Sequence, residues 1–82
     1  MNSLRNKEFC IAFGANLKKL RLGKGYTLRA FALEAGIEHS QLSKIERGDI
    51  NPTISTVLAL SEALEISIQD IFEFKFVNKS KK

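Results

Sequence analysis

Apolar residues recur at helical spacing through most of the chain. Phe9, Phe13, Leu17 and Leu20 fall four, four and three residues apart, the interval that keeps side chains on one face of a helix. A first helix is therefore expected over about residues 7–24, with Lys18 and Lys19 on its other side. Thr27 is a suitable N-cap for a second helix, which runs through Leu28, Phe31, Ala32 and Ala35 to Gly36. A third, over about residues 39–47, turns Leu42 and Ile45 inward and stops at Gly48. Glycine after a periodic segment is a helix stop because it enters the left-handed conformation without steric cost.

After the polar turn Asp49-Ile50-Asn51-Pro52, Thr53 can cap a fourth helix carrying Ile54, Val57, Leu58, Leu60 and Leu64. Ser67, followed three residues later by Asp70, resembles a capping box with Asp in place of Glu or Gln. It opens a short fifth helix with Ile68, Ile71 and Phe72. Beyond it Phe72, Phe74 and Phe76 alternate with Glu73 and Lys75, the period of an extended segment with one apolar face, and residues 78–82 read as a solvated tail. Helices of about nine residues are marginal alone and need a shared core. The second and third, joined around a glycine, are expected to cross steeply. The expectation is an all-α fold: one domain over residues 1–82, its core at about 13–72, with a C-terminal extension over 73–82.

At 82 residues there is chain for one small core and too little for most enzyme folds. The single cysteine, Cys10, cannot form an intramolecular disulfide and is expected to be a small buried hydrophobe. His39 is the only histidine. No nucleophile, base and orienting group can be assembled and ligands for a metal are lacking, so neither enzyme activity nor a metal or cofactor is expected. Gly23 and Gly25 around Lys24 do not make a phosphate loop, because no strand precedes them and no Gly-Lys-Ser/Thr ending follows. No apolar run approaches a membrane span and the first 25 residues do not read as a signal peptide. The expectation is a cytoplasmic protein with no membrane or evident small-molecule partner. The net charge of +4 is unevenly spread: residues 1–25 carry +5, residues 26–50 carry −1, and residues 51–82 balance. If the partner is a nucleic acid, a continuous basic surface is not what selects it.

A small residue (Ala32), a glycine four later (Gly36), and apolar residues six and nine beyond that (Leu42, Ile45) suit two short helices that cross closely. The pattern resembles a helix-turn-helix. The likeness continues through Leu17-Lys18-Lys19-Leu20-Arg21, Gly25-Tyr26-Thr27-Leu28, Leu42-Ser43-Lys44-Ile45-Glu46-Arg47-Gly48 and Asn51-Pro52-Thr53. Over about residues 13–72 the chain resembles the Cro/C1-type (XRE) family, which includes small phage repressors and restriction-modification controllers.

The resemblance implies a bundle of about five helices of the lambda-repressor type, a sequence-specific transcriptional regulator with its third helix in the DNA major groove. By position it assigns His39, Ser40, Gln41 and Lys44 to base edges, and Thr27, Arg29, Arg47, Asn51 and Thr53 to phosphates. Arg21 and Glu46 become a structural ion pair between the first and third helices. Three positions depart from the family pattern. Leu28 follows the second helix's cap where a polar residue is common. Glu38 stands in place of a small polar cap before the third helix, where a carboxylate repels phosphate and either weakens binding or sharpens selection. Glu65 replaces a glycine between the fourth and fifth helices, at a cost in backbone strain or a change of turn shape.

The C-terminal apolar residues leave two readings. Ile68, Ile71, Phe72, Phe74 and Phe76 form a homodimer interface, so that two recognition helices meet a palindromic operator, or Phe72 and a neighbour close the monomer core. The rival function is a protein-interaction module, antitoxin-like or adaptor, with DNA secondary.

Overall fold

Side-chain caps open three of the helices in the computed structural model, which describes residues 3–77. Thr27 Oγ1 accepts from the Ala30 N–H at 3.0 Å, Thr53 Oγ1 from Thr56 N–H at 3.1 Å, and Ser67 Oγ from Asp70 N–H at 3.0 Å. Each cap satisfies one of the orphan donors of a first turn. They start α2 (Leu28–Ala35), α4 (Ile54–Leu64) and α5 (Ile68–Ile71). The others are α1 (Ser3–Gly23), which begins earlier than the periodicity suggests, and α3 (His39–Arg47). Gly36 and Gly48 end α2 and α3 at φ 72° and 77°. Glu65 ends α4 in the same left-handed conformation, at φ 59°, so the departure noted at this position changes the strain and not the type of turn.

The core gathers one face from every helix: Phe13 and Leu17 from α1, Phe31 and Ala32 from α2, Leu42 and Ile45 from α3, Val57, Leu60, Ala63 and Leu64 from α4, and Ile71 from α5. α3 packs on α1 and α2, and α2 and α5 pack on α4. The closest approach is between α1 and α3. A β-carbon added at Gly14 would lie 2.3 Å from the Ile45 carbonyl oxygen and 2.5 Å from that of Glu46, so only glycine permits the two backbones to meet. Where α3 ends, a β-carbon on Gly48 would similarly stand 2.6 Å from the Ile11 α-carbon. Tyr26 stacks on Phe31 at a centroid distance of 5.5 Å and reaches the Ala63 carbonyl, tying the α1–α2 turn to α4.

Residues 72–77 carry no strand, but the alternation of the phenylalanines is realised. Glu73 and Lys75 are exposed, while Phe74 and Phe76 are half-buried against Phe9 of α1 at 5.7 and 4.9 Å. Phe72 lies 5.3 Å from Phe13. Arg5 covers the Phe76 ring at 4.5 Å and donates to the Val77 carbonyl. This corrects two expectations. Ile71 is fully buried in the chain's own core and is no dimer-surface residue, and the inner faces of Phe74 and Phe76 are occupied by α1. Cys10 is half-buried rather than buried, because it lines an open groove that α1 shares with Pro52, Ile54 and Val57. The tail over residues 78–82 lies outside the described residues. No helix among the described residues is long and apolar enough to cross a membrane.

Candidate nucleic-acid interface

α3 repeats its inward residues three apart, Leu42 and Ile45, and everything between them is polar. His39, Ser40 and Lys44 are exposed and Gln41 half-buried. These four occupy the free side of a helix whose opposite side is fixed three times over. Leu42 and Ile45 are in the core, Gly14 lets α1 press on the α3 backbone, and Arg21 holds Glu46.

That last link is a two-pronged ion pair. Arg21 Nε donates to Glu46 Oε2 at 2.7 Å and Nη2 to Oε1 at 3.0 Å, while Nη1 donates to the Tyr26 carbonyl at 3.0 Å. Both side chains are over nine-tenths buried, at 8% and 6% exposure. Two parallel hydrogen bonds fix direction as well as distance, so the pair sets the rotation of α3 about its axis. The structural role assigned to Arg21 and Glu46 matches this geometry, and Tyr26, which sequence reasoning passed over, is its third member.

The residues assigned to phosphate fare differently. Thr27 caps α2 with its oxygen lone pair, leaving the hydroxyl hydrogen and the first N–H groups of α2 directed outward at the positive end of the helix dipole. Arg29 is exposed and enters no ion pair among the described residues. Asn51 is exposed beside Pro52. Thr53 both caps α4 and donates its hydroxyl to Thr56 Oγ1 at 3.1 Å, so its side chain is already committed within the turn. Arg47 is held by Asp49 Oδ2 at 2.9 Å and Ser43 Oγ at 2.7 Å, both intramolecular partners that the linear sequence does not reveal. Between α2 and α3 an open concavity of about 470 Å³ brings Arg29, Glu38, His39 and Gln41 together over Ala32, Leu33, Gly36 and Ile37. Among the described residues no three His, Cys, Asp or Glu side chains gather as a metal site.

The family model described as helix-turn-helix matches residues 17–71. The chain belongs to the Cro/C1-type helix-turn-helix family. Among curated helix-turn-helix proteins it is 36% identical over 61 residues to the HTH-type transcriptional regulator SlrR of Bacillus subtilis, a match covering 73% of this chain and 40% of SlrR. It is 36% identical over 63 residues to SinR of the same organism, covering 76% of this chain and 57% of SinR. The chain thus spans about half the length of these two relatives. Among solved helix-turn-helix structures, the restriction-modification controller protein C.AhdI of Aeromonas hydrophila superposes with a TM-score of 0.74 at 31% identity, over 76% of this chain and 94% of the controller. The clp gene regulator ClgR of Corynebacterium glutamicum gives 0.75 at 31% identity, over 78% of this chain and 82% of ClgR. The helix-turn-helix proper is α2, the Gly36 turn and α3.

Proposed function

We propose that this protein is a sequence-specific DNA-binding transcriptional regulator that lays α3 in the major groove and acts as a homodimer on a palindromic operator. The observation that carries this reading is the polar outer face of α3, held at a fixed rotation by the buried Arg21–Glu46 pair. A major groove admits a helix and displays a distinct donor and acceptor pattern for each base pair. Lys44 donates to guanine O6 or N7, Gln41 pairs with adenine, and His39 and Ser40 meet the adjoining edges. Thr27, the α2 N-terminus, Arg29 and Asn51 grip phosphates and fix register. Arg47 and Thr53 join them only by exchanging their internal partners. No catalytic constellation is part of this reading.

A homodimer supplies the second half-site. Its surface consists of exposed apolar residues, Ile54 at 88% exposure, with Leu58, Ile68 and Phe72. Ile54 and Phe72 share an apolar groove with Phe9, Cys10, Pro52 and Val57, and Phe74 and Phe76 pack on that same Phe9. The relatives SlrR and SinR are HTH-type transcriptional regulators, which agrees with this function. The same groove favours the second reading, a protein-interaction module, in which a different chain covers it.

Selection of bound DNA from a random pool tests the proposal. The expected product is an inverted repeat with half-site centres about one helical turn, roughly 34 Å, apart. Failure to enrich any motif overturns it. Sedimentation separates the readings of the groove, a dimer supporting self-association and a monomer at tens of micromolar supporting a foreign partner.

A further inference from the structure

Among the described residues, α3 is the one helix of eight or more residues that follows a turn without a side-chain cap. Its N-cap, Glu38, has the extended backbone of a cap, at φ −68° and ψ 141°, yet its carboxylate makes no cap hydrogen bond. The N-caps of α2 and α4 are threonines that do. Nor does Glu38 enter an ion pair among the described residues, although Arg29 lines the same concavity. The carboxylate is exposed at the leading end of the recognition helix, beside His39 and Gln41, and accepts no side-chain cap bond that would commit it within the turn.

In a DNA interface such a group has few favourable destinations. Phosphates repel it, and most of the base atoms at the major-groove edge are themselves acceptors: guanine O6 and N7, thymine O4, adenine N7. The donors are the amino groups of cytosine and adenine. At adenine the amino group adjoins N7, whose lone pair opposes a carboxylate, whereas cytosine N4 has no acceptor beside it on the same base in the groove. Resting on the DNA-binding reading above, we propose that Glu38 is a specificity-determining residue, reading cytosine N4 at the end of each half-site met by the start of α3. It also rejects guanine and thymine there by placing acceptor against acceptor. The departure from a small polar cap is then a gain of selectivity at the expense of a little helix stability.

The test is parallel selection from one random pool with wild type, Glu38→Gln and Glu38→Ala, all in the full chain, with thermal melts showing that the exposed substitutions leave the fold intact. Wild type is expected to enrich cytosine at one fixed position per half-site, with a preference over guanine or thymine of roughly ten- to a hundredfold. Glu38→Gln moves that preference to adenine, whose N6 and N7 match an amide. Glu38→Ala loses it and, freed of the charge, binds random DNA more tightly, while all other positions of the motif persist. An unchanged motif in both variants overturns the role of Glu38 and leaves the DNA-binding reading standing. A wild-type protein that enriches no motif overturns both.

Discussion

Gly14 of α1 lies so close to Ile45 of α3 that a β-carbon at position 14 would stand 2.3 Å from the Ile45 carbonyl oxygen. The obstacle is backbone, which cannot rotate aside as a side-chain tip can. Gly14→Ala is therefore expected to destabilise by about 1 to 3 kcal/mol through overpacking, even though alanine is the better helix former by about 1 kcal/mol. Gly23 is the control: it lies in the same helix with nothing within 4 Å of its added β-carbon, and Gly23→Ala should raise stability by about 0.5 kcal/mol. Urea unfolding of the two variants checks the opposite signs.

Removing one member of the Arg21–Glu46 pair strands the other's charge in the interior. Glu46→Ala is expected to cost about 3 kcal/mol or more, a large share of the total stability of a domain this size. Replacing both residues with apolar ones of similar volume should restore much of it, since a buried pair's Coulombic gain largely offsets its own desolvation. Chemical denaturation of both single variants and the double variant distinguishes this from a mere loss of packing, for which the double variant would be the worst.

Glu65 carries the left-handed φ of 59° that glycine adopts freely. Glu65→Gly should stabilise by about 1 kcal/mol, since the ion pair it gives up, to Lys24 at 3.5 Å, is largely exposed and contributes little. A higher melting temperature is the expected readout.

How far the sequence discloses this molecule depends on the range of the interaction behind each feature. Thr27, Thr53 and Ser67 cap through bonds three residues long, and Gly36 and Gly48 stop helices by their own conformations, so helix order and most boundaries were legible. Gly14 was not: within α1 it looks only like a weak helix former, and its reason lies in a distant part of the chain. The alternating phenylalanines show an apolar face without saying what covers it, and only the folded position of Phe9 assigns that face to α1. Among the proposed DNA contacts, the outer positions of α3 follow from its period, but the engagement of Arg47 with Asp49 and Ser43, and of Thr53 with Thr56, does not.

Phe76 tests that assignment of the C-terminal face. It meets Phe9 in an edge-on contact at 4.9 Å under the Arg5 guanidinium. Phe76→Ala should lower the melting temperature, with a loss of about 1 to 2 kcal/mol for a half-buried aromatic, and leave the sedimentation coefficient unchanged. A shift from dimer to monomer without loss of monomer stability would return Phe76 to the subunit interface.

Base reading by the outer face of α3 is measured as the preference of the protein for its selected operator over random DNA, in wild type and in Lys44→Ala with Gln41→Ala, at one fixed salt concentration. Specific sites are typically favoured by 10³-fold or more, and each lost base contact costs about 1 to 3 kcal/mol. The double substitution is expected to collapse the preference by roughly two orders of magnitude or more while affinity for random DNA falls far less. An operator preference that survives both substitutions would show that α3 does not read the bases through these side chains.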